Sequence, residues 1–121
     1  MYGPGFQAAG EIAAEHINAM QNQYNFEIVM ADSACDANQA AAGAQSLVDA
    51  GVVAVAGAAC SGASMGANSV LGAAGVPQVA YASTNPGLSD SNAYPMFFRV
   101  VRSDALPGHA LAGALNSTGG T

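Results

Sequence analysis

Two short stretches of this sequence bring hydroxyls and open backbone groups together: GAACSGAS at 57–64 and YASTNPG at 81–87. Each follows an apolar run of strand type. In open α/β sheets, ligands lie outside the carboxyl ends of the strands, where loops lead into helix N-termini. In the first stretch Ser61 offers a hydroxyl, and the peptide N–H groups of the following turn point at the same spot. Unpaired N–H groups and the positive end of a helix dipole favour a carboxylate. In the second stretch Ser83 and Thr84 add hydroxyls, and the Ala82 carbonyl is placed to accept from an ammonium. Carboxylate donors beside ammonium acceptors describe a site for a zwitterion. The same residues have plainer uses, since a Ser at a helix start is more often only a cap and Ser-Thr-Asn-Pro more often only a turn.

Other chemistry finds less support. Cys60 lies near a helix start, where thiol pKa falls, so a cysteine nucleophile is the competing enzymatic reading. It needs a base, and His16 and His109 both sit in helical segments with no pattern tying either to Cys60. A solvated or packed histidine is the ordinary explanation there. Asp32, Asp36 and Asp49 lack the spacing of a metal loop. No catalytic set, metal or cofactor is expected.

The elements that position these stretches follow from periodicity. Residues 4–20 place Phe6, Ala9, Ala13, Ile17 and Met20 at helical spacing. NFEIVMAD (25–32) alternates like a strand. Asp36 with Gln39 three residues on opens a helix, which turns Ala40, Ala44, Leu47 and Val48 inward and stops at Gly51. VVAVAG (52–57) has the wholly apolar character of a strand buried on both faces. Ser61 is expected to cap the next helix, which ends at Gly75. VPQVAYA (76–82) and MFFRVV (96–101) are strands around a Ser-, Asn-, Gly- and Pro-rich loop, and Asp104 is expected to cap a last helix through Leu115. Strands alternating with helices imply a parallel sheet and the α/β class. The chain opens on a helix with no strand ahead of it, so the first strand is expected to be missing.

Composition narrows the partners. The 121 residues suit one domain. Half are hydrophobic, but there are 15 Gly and few aromatics, so small side chains must pack closely. Eight carboxylates against two Arg and no Lys give a net charge of -6, which disfavours nucleic acid and anionic membrane surfaces. No apolar run approaches the roughly 20 residues needed to span a bilayer, and the N-terminus has neither the basic nor the apolar region of a signal peptide. Two Cys allow either a disulfide in an oxidising compartment or two reduced thiols.

The run DSACDANQAAAGAQSLVDAGVVAVAGAACSGAS…GVPQVAYASTNP resembles the first lobe of the branched-chain amino-acid-binding proteins of bacterial ABC transporters. The likeness includes D-x-A-C-D-x-x-Q-A, G-x-x-C-S and S/A-T-N-P in order, and extends through YGPGFQAAGEIAAEHIN at 2–18 and FRVVRSD at 98–104. It implies a doubly wound, Rossmann-like lobe of the type 1 periplasmic binding fold, with 1–103 part of the N-terminal lobe. Residues 104–121 would then be the crossover and first helix of a second lobe. It implies a Cys35–Cys60 disulfide, and a ligand carboxylate on Ser61 and Thr84. The Ala82 carbonyl would meet the ammonium together with an acidic residue of the second lobe, and Tyr2 would flank the ligand side chain. The implied partners are a small amino acid and a membrane permease, the location periplasmic or extracellular and lipid-anchored, with the signal peptide outside this chain. A sensory receptor built on the same lobe is the alternative. MQNQYN (20–25) departs from the Gly-Gly-Ile turn usual after the first helix.

If the resemblance holds, thiol titration of denatured, non-reduced protein made in an oxidising compartment finds no free thiol. Two free thiols would contradict the disulfide and restore the Cys60 nucleophile.

Overall fold

A computed structural model describes residues 3–119. Its elements are α1 (Gly3–Met20), α2 (Ala37–Asp49), β1 (Val55–Ala56), α3 (Ser61–Ala74), β2 (Gln78–Ala80), a 3-10 turn (Pro86–Ser89), β3 (Phe97–Arg99) and α4 (Ala105–Ser117). The three strands form a parallel sheet in chain order. Val55 is in register with Gln78, and Gln78 with Phe97. Parallel neighbours need a crossover, and α3 supplies it between β1 and β2.

Local signals set α2 and α3. The Asp36 carboxylate accepts from the Gln39 N–H at 2.8 Å, satisfying one of the open donors at the start of α2. At its end Gly51 is left-handed (φ 75°), and the N–H groups of Gly51 and Val52 return to the carbonyls of Val48 and Leu47. Gly75 (φ 70°) closes α3 in the same way, with the N–H groups of Gly75 and Val76 on Gly72 and Leu71.

The core lies between these two helices and is built mainly from alanine. Ala40, Ala44, Ala63, Ala67 and Leu71 are buried together, with Val48, Val55, Cys60, Val70 and Val76 against them. Such small residues bury little area each, so the helices must lie close. At Gly66 a Cβ would fall 2.1 Å from the Ala37 carbonyl oxygen. The Cys35–Cys60 disulfide, with Cα atoms 5.3 Å apart, ties the loop before α2 to the start of α3.

Several expectations about the elements need correction, the Ser61 cap among them, since Cys60 holds that position. Residues 25–32 form no strand, because no described backbone lies beside them in a ladder. The Asn18 side chain instead holds both the N–H and the carbonyl of Phe26, and Phe26, Ile28 and Met30 stay exposed. The packed face of α1 is Gly10, Ala14 and Asn18, with Phe6, Ile17 and Met20 exposed. The small residues on that face let Ile28 come up to Gly10. The strand expected at 52–57 shortens to Val55–Ala56 and is not buried on both faces, as Val53 is 83% exposed. Asp104 precedes α4 without capping it, because its carboxylate accepts the Thr84 hydroxyl instead. No residue of α4 is buried.

Gly66→Ala is expected to destabilise the protein by about 1–3 kcal/mol in urea denaturation, the usual cost of overpacking. Gly113→Ala has open space around its Cβ and should hold or raise stability, since Ala favours a helix over Gly by roughly 1 kcal/mol. Equal midpoints for the two variants would contradict the close α2–α3 contact.

Candidate functional site

The carboxyl ends of β1 and β2 feed loops 57–60 and 81–85, and one buried polar network fixes both. Gln78, fully buried on β2, donates to the carbonyls of Gly57 (3.0 Å) and Ser64 (3.3 Å) and accepts from Asn68 (3.0 Å). The Ser64 and Ser83 hydroxyls lie 2.8 Å apart, and both reach the Ala58 carbonyl, at 3.1 and 3.0 Å. Buried polar groups need such partners, because leaving one unpaired costs its full desolvation. Asn68 Oδ1 is the one buried side-chain polar atom without a partner among the described residues.

From β3, the Arg99 guanidinium donates to the carbonyls of Ser83 (3.3 Å) and Asn85 (2.9 Å) and to the Ser89 hydroxyl. A planar fork with several donors fits a turn rich in carbonyls. Neither Gln78 nor Arg99 stands among the residues expected at the site from sequence. The signals available were an amide in an otherwise apolar strand and one of only two cations in the chain.

The residues expected at the site fall into three groups. Ser61 is the first residue of α3, not its cap, which is Cys60. Its hydroxyl accepts the Asn85 N–H at 3.2 Å and so sits beside the second loop. Thr84 donates its hydroxyl to Asp104 at 2.8 Å, while the Asp104 N–H returns to the Thr84 carbonyl at 3.0 Å. Ala82 is exposed, and its carbonyl has no donor among the described residues. Ser83, by contrast, is fully buried with its hydroxyl on the Ala58 and Ala59 carbonyls, so it joins the loops and does not line their open edge. Tyr2 lies outside the described residues.

Two full charges stand at this edge, the Asp104 carboxylate on Thr84 and the Arg99 guanidinium under the second loop, and open backbone groups add to them. Cys60 makes no side-chain cap bond, and the N–H groups of Ser61, Gly62 and Ala63 have no acceptor among the described residues; the first α3 amide to find one is Ser64, on the Cys60 carbonyl. The Thr84 N–H is likewise open. At the rim Phe6 of α1 packs on Tyr81, ring centroids 4.7 Å apart, and burial raises the Tyr81 phenol above its ordinary 10.0. Its ring is therefore neutral across physiological pH.

Alternatives lose ground on the same geometry. Both sulfurs are in the disulfide, so Cys60 presents no thiol, and His16 and His109 lie exposed in α1 and α4. Asp32, Asp36 and Asp49 each accept from a group of their own segment, and no three His, Cys, Asp or Glu side chains converge among the described residues. No helix among the described residues is long and apolar enough to cross a membrane.

Open amides and an open carbonyl at the carboxyl edge of a parallel α/β layer lie where ligands bind in such sheets. The chain belongs to the family described as the receptor family ligand binding region, which matches residues 6–119. In structure it is similar to an ABC transporter substrate-binding protein from Desulfitobacterium hafniense, also solved in complex with Leu, at 33% identity and a TM-score of 0.76 over 90% of this chain and 33% of that one. A branched-chain amino acid transporter substrate binding protein from Streptococcus pneumoniae, in complex with isoleucine, is 30% identical with a TM-score of 0.76 over 86% of this chain and 30% of that one. In sequence it is 35% identical to an amino acid binding protein of Pseudomonas aeruginosa over 85% of this chain and 28% of the relative. It is 43% identical to metabotropic glutamate receptor 6 of Rattus norvegicus over 56% of this chain and 8% of the receptor. The chain thus spans a third or less of each of these relatives, and its fold is that of a type 1 periplasmic binding lobe.

Gln78→Leu keeps the side-chain volume but removes the partner of Asn68 and of the Gly57 and Ser64 carbonyls. The expected loss in urea denaturation is about 1–3 kcal/mol or more, the penalty for stranded buried polar groups. An unchanged midpoint would show that the network does not hold the loops.

Proposed function

We propose that this chain contributes one wall of an amino-acid-binding cleft, in the substrate-binding component of an ABC transporter for branched-chain or related small amino acids. The α-carboxylate binds at the start of α3, on the open amides of 61–63 with the Ser61 and Thr84 hydroxyls, and the Ala82 carbonyl accepts from the α-ammonium. The observation that carries this is the first turn of α3. Among the described residues its three leading amides have no acceptor and the exposed Ala82 carbonyl has no donor, and that combination matches the two ends of a zwitterion. Thr84 turns its hydroxyl from Asp104 to the ligand when the site fills.

Residues 1–103 belong to the N-terminal lobe, and 104–121 form the crossover and first helix of the second lobe, which closes over the ligand. The fully exposed α4 supports that assignment. Tyr2 borders the ligand side chain. The protein performs no catalytic step; it acts outside the cytoplasm, periplasmic or lipid-anchored, and delivers its ligand to a membrane permease. A sensory role is the second reading, favoured by the 43% identity to a metabotropic glutamate receptor over 68 residues.

Calorimetry on the full-length protein tests the site. Ser61→Ala and Thr84→Ala should each weaken leucine or isoleucine binding by about 1.5–3 kcal/mol, the usual worth of a hydrogen bond to a charged group. Parental affinity in both variants would return Ser61 and Thr84 to purely structural roles.

A further inference from the structure

We propose that the Cys35–Cys60 disulfide is a redox gate on the carboxylate site, an inference that rests on the binding role assigned to the start of α3. Cys60 is the N-cap of α3, the position whose side chain ordinarily accepts from the second and third amides of the helix. Those amides are Gly62 and Ala63, which belong to the open set given above to the ligand. While its sulfur is bonded to Cys35, Cys60 makes no cap hydrogen bond and carries no charge. Oxidation therefore keeps the site open.

Reduction reverses this. Cys35 is exposed and Cys60 half-buried, so a dithiol reductant attacks the Cys35 sulfur. The Cys35–Cys60 bond breaks, its electron pair leaves on Cys60, and Cys35 enters a mixed disulfide. A helix N-terminus stabilises a thiolate, and a stabilised thiolate is the better leaving group. The second thiol of the reductant then closes its own ring disulfide and releases Cys35, which takes a proton. In sum the protein gains two electrons, the dithiol loses two electrons and two protons, and one of those protons passes to solvent because Cys60 remains ionised. The Cys60 thiolate now caps α3 on the amides the ligand carboxylate needs and repels that carboxylate by its charge. Asp32 and Asp36 neighbour Cys35 in sequence and are held by N–H groups, Asp32 by that of Ala34 in its loop and Asp36 by that of Gln39 in α2, while the Asp104 carboxylate lies on Thr84.

The gate is tested in the full-length protein with leucine as the probe. Oxidised protein should bind leucine, and protein reduced by a dithiol, then freed of it without air, should bind at least tenfold more weakly while showing the ultraviolet absorbance of a thiolate at neutral pH. Cys35→Ser keeps the Cys60 thiol and should bind poorly. Cys60→Ala, which breaks the same cross-link without leaving a thiolate, should bind at least tenfold better than Cys35→Ser. Equal leucine affinity in oxidised and reduced protein overturns the gate and leaves the binding role standing. Equal affinity in the two variants, or no thiolate in the reduced protein, also overturns it by reducing the effect to loop loosening. If neither oxidised nor reduced protein binds leucine or another small amino acid, the binding role fails and the gate with it.

Discussion

The open edge of this molecule depends on a chain of buried hydrogen bonds. Four of the five largest fully buried side chains are polar, Gln78, Asn68, Ser64 and Ser83, with Leu71 the exception. An interior of alanines cannot hold two irregular loops by bulk, because so little apolar area is buried per residue. Directional bonds do it instead. Gln78 and the paired hydroxyls fasten loop 57–60 to loop 81–84 from beneath, and Arg99 fastens the second loop from β3. In a low-dielectric interior such bonds reinforce one another, and a partly satisfied set is costly. The two loops are therefore tied to each other, which fixes the spacing of donors and acceptors along them.

α3 connects this network to the rest of the fold. Its buried face, Ala63, Ala67 and Leu71, packs on α2 through small residues, with Gly66 close against the backbone of Ala37. Its end is closed by Gly75, while its start is left uncapped and is anchored through Cys60 to Cys35. A helix held along its length but unsatisfied at its first turn concentrates its positive end where the two loops meet.

Much of this was legible in the sequence. Asp36 with Gln39, Gly51 and Gly75 mark helix ends by local chemistry, and the structure follows them. The α/β class and parallel sheet followed from the alternation of periods. What was not legible depends on neighbours. Residues 25–32 alternate like a strand, yet a strand is defined by pairing and none is available among the described residues. The face of α1 depends on which side the 25–32 segment approaches, so Gly10, Ala14 and Asn18 pack in place of the larger apolar residues. Asp104 had two possible uses, and Thr84, distant in sequence, takes it. Ser61 and Ser83 are alike in sequence context, and only the fold turns one toward the open edge and buries the other.

The task proposed for the start of α3 is to hold an amino-acid carboxylate on its backbone amides. The most direct measurement is backbone amide NMR of the isotope-labelled, oxidised, full-length protein, titrated with leucine and separately with leucinamide, which keeps the ammonium and side chain but has no carboxylate. Leucine is expected to shift and protect the amides of Ser61, Gly62, Ala63 and Thr84, and leucinamide to leave them unmoved. Equal shifts with both compounds, or leucine binding that leaves these four amides unperturbed, would contradict that task.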